Sequence, residues 1–267
     1  MTLLHLFILA SLQGLTEFLP VSSSGHLILL PRLTGAADQG LAVDVAVHMG
    51  TLLAVVLYFW RDVRAALVGL PALLAGRIGE PGARLAFLLV VATVPVVVAG
   101  LILELTGTTA LLRSTAVIGW TMLLFGLVLW WADRTGAQEK CSDDWNLRDA
   151  ITMGLWQAVA LIPGTSRSGI TITAARRLGY ARQDAARLAM LMSIPTILAS
   201  GTLLGLEVAT SDNPGRLSDM AIGAGFAFVA ALLALGLMMR LLRSVSFTPY
   251  VVYRVGLGLA LLWIAYG

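Results

Sequence analysis

Six runs of about 20 mostly apolar residues constrain this chain more than any other feature. They fall near 41–60, 85–104, 114–132, 186–206, 219–239 and 249–266. A helix of that length spans roughly 30 Å, the hydrocarbon thickness of a bilayer. Because 58% of the residues are hydrophobic and only 12% are charged, the chain cannot cover a water-facing surface. The sequence predicts an all-α integral membrane protein that forms a single membrane domain over residues 1–267.

The charge pattern favours a membrane over a nucleic acid as partner. The net charge is +3 and the isoelectric point is near 9.4, but the arginines are scattered over short loops, as membrane orientation would require. The first residues, MTLLHLFILA, lack the basic start of a signal peptide, so we expect them to belong to the mature fold. The single cysteine, Cys141, lies in the most polar stretch, which argues against an intrachain disulfide or a cysteine metal site.

An internal repeat divides the chain into halves at approximately 1–140 and 145–267. A shift of 144 residues aligns 13–42 with 157–186 without a gap, and about ten of roughly thirty positions are identical. The identical pairs include Gln13/Gln157, Ser22/Ser166, Ser24/Ser168, Gly25/Gly169, Ile28/Ile172, Arg32/Arg176 and Gly35/Gly179.

Each half opens with two short apolar pieces that a polar turn separates. The pieces are 3–19 with 26–31, and 149–162 with 169–175. The Pro, Gly and Ser cluster between them cannot face lipid, so each pair is predicted to be a re-entrant helical hairpin. Three full transmembrane helices follow in each half, and three is odd. The second half must therefore enter from the opposite side, which predicts an inverted-topology repeat.

Loop charges give an independent argument for this orientation. Loop 61–84 is rich in arginine, whereas its counterpart 207–218 carries Glu207 and Asp212 against Arg216. The positive-inside rule makes the arginine-rich side cytoplasmic. The arginines assigned to that side are Arg61, Arg64, Arg77, Arg84, Arg176, Arg177, Arg182, Arg187, Arg240 and Arg243. Both termini and the mouth of the first hairpin are then expected on the outer side.

Two hairpins that enter from opposite faces would bring their polar tips together near the middle of the membrane. The tips read PVSSSGH (20–26) and PGTSRSG (163–169). Their donors are hydroxyls, one guanidinium and the amides of two half-helices that begin near Gly25 and Gly169, a set that suits a phosphate group. The expected phosphate-binding residues are Gln13, Ser22, Ser23, Ser24, Gly25, Thr165, Ser166, Arg167, Ser168 and Gly169.

Structural explanations compete with this anion site. An arginine near the bilayer centre costs about 2.5–3.5 kcal/mol unless it is paired, so the alternative for Arg167 is a buried salt bridge to Glu17 that only fixes the two halves together. Small hydroxyl residues are also common where membrane helices approach closely, so the serines alone would indicate packing. The combination of the serines with Arg167 favours the anion site.

The acidic and imidazole groups near the first tip offer several kinds of chemistry. Gln13 and Glu17 are four residues apart and share a helix face. Glu17 could activate water, hold a divalent cation or neutralise Arg167. His26 lies in the first turn of the following half-helix and could act as general base, nucleophile or proton donor.

Two further pairs in the spans leave alternatives open. Asp44 and His48 share a helix face, where they would either line the cavity or make structural hydrogen bonds. Gly201 and Gly205 form a GxxxG pattern. That pattern indicates a helix interface, within one chain or between the two chains of a homodimer.

The two tips together carry a family resemblance. QGLTEFLPVSSSGH (13–26) with PGTSRSG (163–169) resembles the motif pair of the undecaprenyl-diphosphate phosphatase family, the bacitracin-resistance membrane enzymes. AVHMGTLLAVVLYFWRDV (46–63) and SFTPYVVYR (246–254) are similar to that family too, so the resemblance spans nearly the whole chain. It implies hydrolysis of C55 polyprenyl diphosphate to the monophosphate and inorganic phosphate, at a site open to the outer side of the bacterial cytoplasmic membrane.

The family motifs transfer to this chain residue by residue. They fall on Gln13, Glu17, Ser22, Ser23, Ser24, His26, Ser166, Arg167 and Ser168, and the resemblance implies catalytic roles for Glu17, Ser23, His26 and Arg167. Many members have Glu where this chain has Gln13. A neutral amide is neither a base nor a strong metal ligand, so Glu17 would have to fill that role alone, with Mg²⁺ or Ca²⁺ as the candidate ion.

The expected mechanism is electrostatic stabilisation of the transferred phosphate. Either His26 activates water, or Ser23 attacks with help from His26 or Glu17. The prenyl tail is expected in a lipid-facing groove between spans. A secondary transporter or flippase for a lipid phosphate or another anion is the main alternative, because inverted repeats with broken helices also build transporters. A purely structural membrane subunit would leave Arg167 without a function.

Overall fold

Helices make up almost all of the computed structural model, which describes residues 2–27, 40–108, 112, 114–210 and 216–267. The helices are α1 (Leu3–Phe18), α2 (Leu41–Tyr58), α3 (Trp60–Leu74), α4 (Pro81–Leu105), α5 (Thr115–Thr135), α6 (Leu147–Ala158), α7 (Arg167–Arg177), α8 (Arg182–Thr210), α9 (Leu217–Leu241) and α10 (Thr248–Tyr266). Short 3₁₀ turns occupy Ser142–Asp144 and Val159–Leu161. Within the described ranges there is no β-strand, only one isolated bridge between Lys140 and Tyr180.

All six predicted spans are confirmed. Helices α2, α4, α5, α8, α9 and α10 are long and apolar enough to cross a membrane. Each exposes large apolar side chains, among them Leu53, Leu101, Leu203, Leu233 and Trp263, because the outer surface of a membrane domain faces hydrocarbon instead of water. The fold is therefore that of a multi-pass membrane protein.

The structure corrects two details of the prediction. Segment 61–84 is not a simple charged loop, since it contains most of α3, and α3 packs closely on α4: a Cβ on Gly69 would lie 2.2 Å from the amide nitrogen of Ala83. The half-helices begin earlier than Gly25 and Gly169, at position 23 and at Arg167.

Parts of the first hairpin lie outside the described residues. They include 28–31 of its second piece, the repeat positions Ile28, Arg32 and Gly35, and also Asp212 of the acidic loop. The second hairpin is described in full as α6, the 3₁₀ turn and α7. The inverted relation between the halves stays a prediction.

Glycines allow the helices that surround the tips to pack backbone to backbone. A Cβ on Gly14 of α1 would lie 2.5 Å from the carbonyl oxygen of Ala227 in α9, and one on Gly50 of α2 would lie 2.2 Å from that of Ala224. Small residues permit such approaches in membranes. Gly201 instead makes room for the side chain of Met49, whose Cε would lie 2.4 Å from a Cβ on Gly201, whereas a Cβ on Gly205 would meet nothing within 4 Å.

A buried ion-pair cluster joins α5, α7, α8 and α10 at the end of the molecule remote from the tips. Asp133 Oδ1 accepts from Arg176 Nε at 3.1 Å and from Arg182 Nε at 2.8 Å, while Oδ2 accepts from the Phe247 amide at 3.1 Å. Arg176 also donates to the carbonyl oxygens of Asp133, Gly136, Ala137 and Tyr180. Arg176 is 0% exposed, so it is an internal anchor and not one of the loop charges with which the sequence grouped it.

Candidate active site

The two hairpin tips share an unusual backbone. Ser22 has a φ of 72° and Ser166 a φ of 69°, and they are the two non-glycine residues in the described part of the chain with positive φ. That conformation costs of order 1–3 kcal/mol at such sites. Each strained serine stands immediately before a helical stretch, and its hydroxyl lies about 3 Å from the hydroxyl two residues later: 3.0 Å to Ser24 and 3.1 Å to Ser168. The strain recurs at two positions that the repeat aligns, which marks both tips as functional candidates.

The tips contact each other directly, as the sequence predicted. The amide of Gly164 donates to Ser24 Oγ at 3.2 Å, and Ser168 Oγ donates to the carbonyl oxygen of Leu19 at 3.0 Å. Residues about 140 apart in sequence are thereby held in one polar cluster.

Glu17 is the centre of this cluster. Its Oε1 accepts from Arg167 Nη2 at 2.7 Å, and its Oε2 accepts from Gln13 Nε2 at 2.8 Å and from Ser23 Oγ at 3.0 Å. The Glu17 side chain is 8% exposed, so these donors replace the water that the carboxylate lost on burial. The salt bridge to Glu17 that the structural alternative for Arg167 required is therefore present, and the phosphate-binding role of Arg167 stays a prediction.

A cavity of about 270 Å³ opens on these groups. Its lining residues are Glu17, Ser22, Ser23, Ser24, His48, Val96, Ala160, Leu161, Ser166, Arg167, Thr196, Ile197 and Ser200. Two polar atoms of this cluster are buried without a partner, namely Arg167 Nη1 and Gln13 Oε1. A buried unpaired N–H is costly, and here it belongs to a cation that borders a cavity. The arrangement suits an anionic ligand with oxygen acceptors.

The start of α7 adds to that preference. Ser166 Oγ caps the helix by accepting from the Gly169 amide at 3.2 Å, and helix N-termini favour negative charge. Thr165 Oγ1 is buried without a partner. Gly25, in contrast, is a packing position, since a Cβ there would lie 2.8 Å from the sulfur of Met122.

The two histidines near the tips have different surroundings. His26 is buried, with Nδ1 2.7 Å from the carbonyl oxygen of Ser22 and Nε2 2.6 Å from Tyr253 Oη. Both ring nitrogens are therefore engaged, and the ring is not part of the cavity lining. His48 does line the cavity, and its Nε2 lies 3.1 Å from Gln13 Nε2 and 3.8 Å from Glu17 Oε2. A catalytic role for His26 stays a prediction.

Comparisons with known proteins identify the family of this chain. The family model described as bacitracin resistance protein BacA matches residues 6–260. The chain belongs to the BacA family. It is 70% identical over 266 residues to a protein of Ruegeria pomeroyi and 68% identical over 266 residues to one of Jannaschia sp., covering 100% of both relatives. A protein of Rhodospirillum rubrum is 48% identical and is covered over 96% of its length. The first two are named undecaprenyl-diphosphatase, and the third undecaprenyl-diphosphatase 1.

The donor set of this BacA family member does not form a divalent-cation site by itself. Both oxygens of Glu17 already accept hydrogen bonds, and the guanidinium of Arg167 lies against one of them. Among the described residues no three His, Cys, Asp or Glu side chains gather in a way that could hold a metal. Mg²⁺ and Ca²⁺ prefer several oxygen ligands, which one carboxylate with its oxygens engaged cannot supply.

Sequence reasoning missed four residues around the BacA site. Thr196 and Ser200 of α8 line the cavity wall, and Tyr253 and Arg254 of α10 contact the tips. The last two belong to the segment SFTPYVVYR (246–254), in which no spacing of polar residues indicates a contact with the tips. Spacing within α8 gave no sign of the first two, because they meet the tips only through tertiary packing.

Proposed function

We propose that this protein hydrolyses undecaprenyl diphosphate to undecaprenyl phosphate and inorganic phosphate, which recycles the lipid carrier of cell-wall synthesis and gives bacitracin resistance. Membership of the BacA family and the printed names of the relatives support this activity. The observation that carries the proposal is the Glu17–Arg167 pair, whose guanidinium has a buried, unpartnered nitrogen beside the cavity.

The terminal phosphate is held by the second tip in this proposal. Arg167 Nη1 and the N-terminus of α7 present N–H groups and positive charge. The hydroxyls of Ser22 and Ser24 line the same cavity from the first tip. These donors would stabilise the charge that builds up on the phosphate oxygens in the transition state.

Ser23 is the nucleophile that the geometry favours. Its hydroxyl already donates to Glu17 Oε2 at 3.0 Å, so the carboxylate is placed to take the proton. In the first step the bond between Ser23 Oγ and the terminal phosphorus forms, the bridging P–O bond breaks, and the lipid monophosphate leaves. In the second step water attacks the phosphoserine, inorganic phosphate is released, and the proton held by Glu17 returns to Ser23 Oγ. His26 takes no part in this scheme, because its ring contacts Ser22 and Tyr253 instead of Ser23.

The apolar part of the cavity fits the lipid half of the substrate. Val96 of α4, Leu161 of the second hairpin and Ile197 of α8 line it beside the polar groups. We place the start of the prenyl chain against these side chains, with the rest of the chain leaving between α4 and α8. Burial of each additional CH₂ group against them would contribute about 0.8 kcal/mol.

We further propose an inverted-topology repeat with the site open to the outer side of the bacterial cytoplasmic membrane. The matched strain at Ser22 and Ser166 supports two equivalent tips, and the arginine-rich side supports the orientation. Mg²⁺ or Ca²⁺ would need the oxygens of the diphosphate as its main ligands, and no step above depends on it. The GxxxG pattern supports a homodimer as a further proposal. A Cβ on Gly205 would have no atom of the described chain within 4 Å, which leaves room for a helix of a second copy.

The direct test is phosphate release from C55 diphosphate by the purified protein in detergent. Arg167→Ala is expected to lower kcat/KM about 10³-fold, because both a phosphate contact and a fixed charge are lost. Arg243→Ala changes an exposed arginine in the turn after α9 and should retain full activity. If the folded wild type releases no phosphate but moves the lipid across liposomes, the transporter alternative replaces the phosphatase.

A further inference from the structure

The segment SFTPYVVYR (246–254) places two adjacent side chains of α10 on different hairpin tips. Tyr253 Oη lies 2.6 Å from His26 Nε2 at the end of the first tip. Arg254 Nη2 donates to the carbonyl oxygens of Gly164 and Thr165 in the second tip, at 3.1 and 2.8 Å. A single turn of one helix therefore contacts both halves of the site.

Arg254 occupies a passage that two glycines leave open. A Cβ on Gly169, in the first turn of α7, would lie 2.7 Å from Arg254 Nη1. A Cβ on Gly126 of α5 would lie 3.4 Å from the Cβ of Arg254. The side chain thus runs between α5 and α7 and ends beside the helix terminus that borders the phosphate cavity.

The charge of Arg254 lacks a counterion among the residues that the structure describes. The side chain is 0% exposed, its Nε and Nη1 have no hydrogen-bond partner, and no carboxylate of the described ranges pairs with it. Arg167, in contrast, is neutralised by Glu17. A buried charge without a partner is strongly unfavourable. Glu17, Arg167 and Arg254 together therefore have one net positive charge, and it is the charge of Arg254 on α10.

We propose that Tyr253 and Arg254 are a positioning pair that holds the two tips in register, and that the charge of Arg254 is compensated by the bound diphosphate. This inference rests on the proposed function, because it names what gives the phosphatase site its excess positive charge. Neither side chain lines the cavity, so both act through the tips, which they hold by hydrogen bonds at His26, Gly164 and Thr165.

Arg254→Met tests the charge, with Arg240→Met on an exposed position of α9 as matched control. The readouts are the separate kcat and KM for C55 diphosphate and the inhibition constant for inorganic diphosphate, which reports binding without turnover. Arg254→Met is expected to lower kcat/KM about 10²-fold and to raise the inhibition constant about tenfold, while Arg240→Met matches wild type. A folded Arg254→Met protein with an unchanged inhibition constant would overturn the proposal, because a helix-packing role alone would change only stability.

Conservative variants keep the test decisive if Arg254→Met does not fold. Arg254→Lys retains the charge but not the fork that reaches two carbonyl groups, so it should bind inorganic diphosphate nearly as well as wild type but turn over about tenfold more slowly. Tyr253→Phe should lower kcat about tenfold with KM unchanged. Wild-type kcat in both variants would refute the positioning role.

The same experiments separate this inference from the proposed function. If the wild type binds inorganic diphosphate but does not release phosphate from the C55 lipid, the hydrolytic activity fails, while the effect of Arg254→Met on binding still supports the inference. If wild type and Arg254→Met bind inorganic diphosphate equally while the wild type hydrolyses the lipid, the inference fails and the phosphatase stands.

Discussion

The Asp133–Arg176 cluster and the Glu17–Arg167 cluster differ in how completely their hydrogen bonds are satisfied. In the Asp133–Arg176 cluster every N–H of the guanidinium has an acceptor, and both carboxylate oxygens are used. In the Glu17–Arg167 cluster one guanidinium nitrogen has no partner, and the pair borders a cavity.

The difference indicates which cluster is structural and which is functional. A saturated buried ion pair has no capacity left for a ligand, and removing either partner leaves an uncompensated charge. An unsaturated pair beside a cavity keeps donors available for the oxygens of a substrate. Both arginines lie on the same short helix, α7, of the second hairpin, so their position in the chain does not distinguish them.

Arg176→Met should have the largest effect on folding. The substitution leaves the Asp133 carboxylate with only Arg182 and the Phe247 amide as donors, and breaking a buried pair costs about 3–5 kcal/mol. We expect a markedly lower thermal unfolding temperature and a lower folded yield, with phosphate release per folded molecule close to wild type. Normal stability together with lost activity would instead make Arg176 part of the active site.

Ser23→Ala should have a large effect on activity and little on stability. Loss of the nucleophile is expected to lower kcat by about 10²-fold or more, while Ser24→Ala, the neighbouring hydroxyl on the cavity, should lower it only about tenfold. Phosphate release and unfolding temperature are compared for both variants. Equal kcat values for Ser23→Ala and wild type would show that water attacks directly.

The spans and the meeting of the two tips could be predicted from sequence, whereas the two clusters could not be separated. Apolar length sets the spans, and the repeat pairs QGLTEFLPVSSSGH with PGTSRSG. Hydrogen-bond saturation depends on distant partners: Arg176 meets Asp133 and the turn after α5, and Arg254 meets the second tip from the last helix. No local pattern in the sequence predicts such long-range contacts. From the sequence alone, Arg176 is therefore grouped with the loop charges and Arg254 is not identified.

Tyr180→Phe should lower the free energy of unfolding by less than Arg176→Met does. Tyr180 lies beside the Asp133–Arg176 cluster, since its carbonyl oxygen accepts a hydrogen bond from Arg176. The phenol donates to Asp149 Oδ2 at 2.7 Å, and burial, reinforced by that carboxylate, raises the pKa of Tyr180 above its usual range. Removing this hydrogen bond should cost about 1–3 kcal/mol at neutral pH. Because the unfolded phenol ionises first, the stability of the wild type should fall as pH rises through about 10.

Tyr180→Phe also serves as the control for the pH dependence of the wild-type stability. Tyr180→Phe cannot ionise at this position, so the difference in unfolding free energy between it and the wild type should shrink above about pH 10. Detergent-based thermal unfolding across pH 8–11 measures that difference. A difference that stays constant over this range would mean that the phenol is not held neutral by the fold.

The central claim is that the unsaturated cluster is catalytic and the saturated one is structural. Glu17→Gln and Asp133→Asn are the matched pair that tests it, since each replaces one buried carboxylate by its isosteric amide. Phosphate release from C55 diphosphate is measured per folded molecule, beside the unfolding temperature. We predict that Glu17→Gln is destabilised less than Asp133→Asn, because Arg167 is 15% exposed whereas Arg176 is 0% exposed, and that it loses about 10³-fold in kcat, whereas Asp133→Asn is nearly fully active when folded. An active Glu17→Gln protein, or a stable and inactive Asp133→Asn protein, would contradict the account.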